Sequence, residues 1–231
     1  MAPPSTLLTA ALDRHPTRRE IAIVLGIPTT VFLAFSIRWL VVAGGIVRIG
    51  DARVLMTVAV ELLLALVMLP YLRRQGWHPR VVVTSPEPLD LARGFGVFVG
   101  AYLAIYIVYV ALYFAIPGAV ATLRVARITG TLSPLTVMIA AIINPVFEEF
   151  LWLGYAIPAV GARYGLRAAI TASVVLRVAA HAYQGVLALV SILPVALVLT
   201  WYFTRTGRLW PVIVAHVLAD GLALSFLAPA R

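Results

Sequence analysis

Glu148 and Glu149 stand side by side in a run that is otherwise apolar from Leu132 to Val160, and His181, His216 and Asp220 lie on later apolar segments. An ionisable group at membrane depth costs from about 2.5 kcal/mol upward, so such residues usually face a protein interior or a wet cavity. Carboxylates beside imidazoles in a dry cavity can hold a water and take its proton. Burial and a neighbouring like charge suit a glutamate to serve first as base and then as acid. Donors aimed at the developing oxyanion would complete a hydrolytic site. Successive helical residues point about 100° apart, so Glu148 and Glu149 cannot both face one spot squarely. The expectation is one acting base and one supporting partner.

The composition says what must position these groups. The chain of 231 residues is 62% hydrophobic and 12% charged, with a mean hydropathy of +1.01, against ≈ 45–50% apolar and ≈ 25% charged in ordinary soluble domains. That points to an all-α, polytopic integral membrane bundle with the lipid bilayer as its partner. A net charge of +9 comes from 18 arginines and no lysine. Most of them sit in short gaps between apolar runs, as topology signals and anionic-lipid contacts do, so nucleic acid is excluded as a partner. Without cysteine there is no disulfide, no Cys-ligated zinc and no thiol nucleophile.

About 20 apolar residues cross a bilayer. Candidate helices run about Glu20–Ser36 (Pro28 inside), Arg53–Leu72, Asp90–Ile116, Ser133–Val160, Leu166–His181, Val186–Phe203 and Leu209–Leu227. The stretch Trp39–Val47 either continues the first helix or lies at the interface, giving seven spans or eight. Gln75–Leu89, with Pro79, Pro86 and Pro88, reads as a loop, as does the region of Gly118, Arg124, Arg127 and Gly130. The reading is a cytoplasmic segment 1–19 and one membrane domain 20–231, whose site region is 133–228. Residues 1–19 lack the apolar core of a cleaved signal, and the C-terminal residues carry no lipidation box. With the N-terminus inside, eleven arginines fall on inner segments and six on outer ones, which favours the cell membrane with a cytoplasmic N-terminus.

In that topology Glu148 lies twelve residues from one helix end, His181 fourteen from its own, and His216 and Asp220 eight and twelve from theirs. At 1.5 Å per residue these positions agree in depth to within about 9 Å. His216 and Asp220, spaced i,i+4, share a face. Three helices bring acids and imidazoles to one level.

These residues reach a family. The run Glu148-Glu149-Phe150-Leu151-Trp152-Leu153-Gly154-Tyr155 resembles the first motif of the CPBP family, the CAAX-protease and bacteriocin-processing proteins that include the Rce1-type intramembrane glutamic endopeptidases. The family pattern is Glu-Glu-x-x-x-Arg, then Phe-x-x-x-His, then His-x-x-x-Asn or Asp. His181 fits the second motif and His216-Val217-Leu218-Ala219-Asp220 the third, so the resemblance spans residues 144 to 221. It implies that Glu148 activates water with His181, that Glu149 orients the site, and that His216 and Asp220 stabilise the oxyanion. It also implies a membrane-associated protein or peptide as substrate, cleaved without a bound cofactor.

Two positions depart from the pattern. Leu153 stands where the family has arginine, and Arg177 where it commonly has phenylalanine. A buried carboxylate pair without a cation is costly, so Arg177 is expected to supply the missing guanidinium from the neighbouring helix. The alternative is a member that has lost catalysis, an immunity or scaffold partner on the same fold. Zinc is a second alternative, since His and Glu are its ligands, though the compact His-Glu-x-x-His signature is absent. A proton-coupled transporter would use the same intramembrane groups but lacks paired broken repeats.

Other features carry bland readings. Glu61 reads as a packing or helix-pairing residue, and His15 and His78 as solvated. Gly96 and Gly100 allow close helix approach. Tyr102, Tyr106, Tyr109 and Tyr113 share a helix face, either as packing or as a groove wall.

Overall fold

The structure, a computed structural model, describes residues 15–42, 46–77, 85–116, 118 and 127–227. In chain order its elements are α1 (Arg18–Val42), β1 (Ile46–Gly50), α2 (Asp51–Arg74), α3 (Leu89–Ala115), β2 (Arg127–Thr131), α4 (Pro134–Glu149), a π-helical segment (Phe150–Tyr155), α5 (Ala156–Tyr164), α6 (Leu166–Ala180), a short 3₁₀ turn (Ala182–Gln184), α7 (Val186–Thr206) and α8 (Trp210–Ser225). His78 and Pro79 lie outside the described residues.

Among the described residues, four segments are long and apolar enough to cross a membrane: Arg18–Arg38, α2, α3, and the continuous stretch Pro134–Tyr164. α7 (Val186–Thr206) is 21 residues long, and α8 is shorter. At 15 and 16 residues, α6 and α8 rise about 22–24 Å against a hydrocarbon core of ≈ 30 Å. Both are thus shorter than a helix that crosses the full core untilted.

The fold is helical, as expected, with one short two-stranded sheet added to it. β1 and β2 pair in parallel, from Ile46 opposite Arg127 to Gly50 opposite Thr131. The sequence reading carried a helix or interfacial stretch as far as Val47, inside the first strand, and put the second strand in a loop. Each is only five residues long, too short for alternation to announce it, and its partner is far away in sequence. Each strand feeds directly into a helix, β1 into α2 and β2 into α4. The Asp51 carboxylate accepts a hydrogen bond from the Ser133 backbone N–H at 2.8 Å. α2 and α4, which pack together, thus start level and run in the same direction.

Local signals account for the helix ends. Ser133 caps α4 by accepting from the Thr136 N–H at 3.3 Å, with Pro134 in the first turn, where its missing N–H costs nothing. Gly207 ends α7 in the left-handed conformation at φ 69°, which only glycine adopts freely.

Close packing of α3 falls elsewhere than expected. A Cβ on Gly96 or Gly100 would meet nothing within 4 Å, whereas one on Gly94 would lie 2.6 Å from the Val214 side chain and 2.9 Å from the Pro211 carbonyl oxygen. Asp90, Gly94, Val97 and Ala101 are the buried residues of α3, a seam at helical spacing that lies against α8. The small-residue spacing was legible, but not the rotational phase of the helix. The tyrosine stripe faces outward: Tyr106 and Tyr113 are more than half exposed, so the packing reading fails for them. Phe98 stacks at a tilt on Tyr102, with centroids 4.7 Å apart.

The core runs along Pro134–Tyr164, where every residue from Leu151 to Gly161 is buried. The supposed loop after α2 contributes too. Trp77 is buried and makes edge-to-face contacts, at 5.5 Å between centroids, with both Phe150 and Tyr155, a favoured aromatic geometry.

Candidate active site

α4 ends on the acid pair, and the π-helical segment begins immediately after it at Phe150. Such wide turns occur mostly as single interruptions of an α-helix, frequently beside functional groups. The two glutamates go separate ways. Glu149 is fully buried and Glu148 nearly so.

Glu149 is held on both oxygens. The guanidinium of Arg177 on α6 donates to Oε1 at 2.5 Å and to Oε2 at 2.7 Å, a planar two-pronged pair. His216 on α8 reaches Oε1 through Nδ1 at 2.6 Å. An ion-paired carboxylate only accepts, so His216 Nδ1 carries a hydrogen. Leu153 is fully buried in the apolar core, and the cation beside the acid pair comes from Arg177, one helical turn before His181.

The other face of His216 presents Nε2 to Asp220 Oδ1 at 3.4 Å. Two lone pairs would otherwise oppose each other there, so a proton lies between them. The second oxygen of Asp220 accepts from Asn144 Nδ2 at 3.0 Å.

Glu148 is held far less. Oε1 lies 3.9 Å from His181 Nε2, beyond hydrogen-bond length but within the span one water bridges. Oε2 has no hydrogen-bond partner among the described residues. His181 sits just past the end of α6, and its Nδ1 lies 2.9 Å from the Arg177 carbonyl oxygen. A carbonyl only accepts, so Nδ1 bears a hydrogen, and Nε2 is the ring nitrogen that faces Glu148. Ser36 on α1 fixes this end of α6 by donating to the Ala180 carbonyl at 2.6 Å.

All five sequence-derived site residues, and Arg177, thus meet in one cluster drawn from α4, α6 and α8. Two further residues belong with them. Asn144 lies one turn before Glu148 on the same helix, and its signal was an amide inside an apolar run. Glu61 on α2 is 1% exposed, and its Oε2 has no partner among the described residues. It lies within electrostatic reach of Glu148, Asp220 and His216. Read from sequence as a packing residue, it had no motif around it to say otherwise. Among the described residues no three His, Asp or Glu are arranged to hold a metal ion. His15 is exposed.

Residues 130–222 match the family described as type II CAAX prenyl endopeptidase, Rce1-like. The resemblance to the CPBP family is borne out over that segment, which holds every site residue named above except Glu61. No curated protein and no solved structure was found to match the chain.

Proposed function

We propose that this chain, with its Rce1-like segment, is an intramembrane glutamic endopeptidase that hydrolyses a peptide bond in a membrane-associated protein or peptide. The observation that carries the reading is the Glu148–His181 gap. A buried carboxylate with one free oxygen faces an imidazole nitrogen 3.9 Å away, room for one water between two bases.

Glu148 takes a proton from that water, and the resulting hydroxide adds to the substrate carbonyl carbon. His181 orients the water through Nε2, its tautomer fixed by the Arg177 carbonyl. The proton shared by His216 and Asp220 and the second amide hydrogen of Asn144 are the donors this cluster offers to the developing oxyanion. A bare Asp220 carboxylate would repel that charge, so its part is to hold the proton on His216. Glu149 and Arg177 neutralise one another and fix His216 from behind. An N-terminus on the cytoplasmic side, inferred from the arginine distribution, completes the proposal.

The test is cleavage of a pool of membrane-anchored peptides by the purified protein, wild type beside Glu148→Gln, with and without chelator. The expected result is a loss of about 10²–10⁴-fold in kcat in the variant and no response to chelator. Loss with chelator would replace the glutamic mechanism with a metal one. Cleavage unaffected by Glu148→Gln would remove the proposed base. Two folded proteins that both fail to cleave would favour a non-catalytic partner on this fold.

A further inference from the structure

Glu61 stands outside the segment that matches the family, yet the fold carries it to the site. Its helix faces inward along Val58, Glu61, Met68 and Leu72, the buried residues of α2. The bond between Asp51 and Ser133, together with the β1–β2 register, fixes α2 level with α4. Glu61 is ten residues beyond Asp51 and Asn144 eleven beyond Ser133, depths of about 15 Å and 16 Å along adjacent helices. Glu61 is therefore level with the Asn144–Asp220 pair and about one and a half turns, roughly 7–8 Å along the axis, from Glu148. The fields of Glu148, Asp220 and His216 reach it.

The charges of the cluster settle in pairs. Arg177 balances Glu149, and the shared proton balances His216 against Asp220. Glu148 remains as the one charge the hydrolytic reading needs. A second ionised carboxylate would have no counter-ion among the described residues, and Glu61 Oε2 has no donor there either. A buried acid in that position keeps its proton rather than carry an uncompensated charge, and two neighbouring carboxyl groups share one proton more readily than both ionise.

We propose that Glu61 is the proton-holding partner of Glu148, a second carboxyl group of the same site that stays protonated while Glu148 is ionised and delivers its proton to the departing amine. The delivery step rests on the endopeptidase reading. Glu148 takes a proton from water as the C–O bond forms. The C–N bond then breaks, its electron pair stays on nitrogen, and nitrogen takes the proton of Glu61. Glu148 returns its own proton to Glu61 through water, which restores both groups.

Two measurements on the full-length protein in lipid bilayers test this. Infrared spectroscopy reads the carbonyl stretch of a protonated carboxyl group whether or not the protein is active. The expected result is a band that vanishes in Glu61→Gln and shifts in Glu148→Gln; a spectrum unchanged by Glu61→Gln overturns the assignment. In the cleavage assay Glu61→Gln should lower kcat by about tenfold or more with KM unchanged. It should also remove the loss of activity that occurs as pH rises through the ionisation of Glu61, beside Glu148, His216 and Asp220. Glu61→Leu should fold and be equally impaired. Wild-type activity in both variants, with cleavage still dependent on Glu148, would overturn proton delivery and leave the endopeptidase standing. Cleavage independent of Glu148 would remove that reading and proton delivery with it, while the infrared band would still decide where the proton resides.

Discussion

Among the described residues two arginine–carboxylate centres join distant helices, and they use the same chemistry in opposite surroundings. In the first, Arg177, Glu149 and His216 are at least nine-tenths buried. In the second, Arg208, between α7 and α8, donates to Asp90 at 2.7 and 2.9 Å and to Glu87 at 2.7 Å. Arg93 adds bonds to the same two acids, with Glu87 half exposed and Asp90 nearly covered. Hydrogen bonding to Asp90 holds the Arg208 guanidinium above its ordinary value, so it is a fixed cation. The buried centre cannot lose one partner without stranding a charge, whereas water can replace much of what the outer centre loses. The first therefore builds a site. The second fastens the start of α3 to the turn before α8.

The sharpest break in this comparison comes from the buried centre. Arg177→Leu should destabilise the fold by about 3–5 kcal/mol by stranding Glu149, read as a fall in the thermal unfolding midpoint in a fixed detergent. Arg177→Lys should recover only part, because an ammonium cannot make the planar two-pronged contact. Replacing Arg177 by Leu and Glu149 by Gln together should cost less than the sum of the two single changes. An additive result would mean that the two residues are not coupled.

Next is the seam joining the centres. Gly94→Val should cost about 1–3 kcal/mol through overlap with Val214 and Pro211. Gly96→Val, with open space around it, should change the midpoint little. Equal effects from the two would contradict the phase of α3 on α8.

The smallest effect is expected at the outer centre. Arg208→Ala should cost about 1 kcal/mol at low salt. That cost should shrink as salt rises past physiological strength, where exposed charges more than about 8 Å apart are screened. The cost of Arg177→Leu should be nearly independent of salt. A matching salt dependence would erase the distinction between the centres.

Local chemistry made much of this legible. Ser133-Pro134 announces the start of α4, since a cap and a first-turn proline act on adjacent backbone groups. Glu148, Glu149, His181, His216 and Asp220 were visible because ionisable residues in apolar runs are expensive, and because helical rise converts sequence position into depth. Even the Arg177–Glu149 contact could be sought, from a missing arginine at Leu153 and an extra one a helix away.

Other features depended on tertiary structure. Helical periodicity says which residues share a face but not which direction the face points, so Gly94 took the role expected of Gly96 and Gly100, and Tyr106 and Tyr113 turned outward. The β1–β2 pairing joins segments some eighty residues apart, and the π-helical segment after Glu149 has no signature of its own in composition. Glu61 and Asn144 are single polar residues in apolar helices, indistinguishable in sequence from packing residues. The sequence by itself determined that the chain is a bundle of apolar helices and which ionisable residues lie inside them, because burial cost and helical rise are local quantities. Only the tertiary structure decided which oxygen meets which nitrogen, because rotation, register and the choice of neighbour are fixed by contacts between distant parts of the chain.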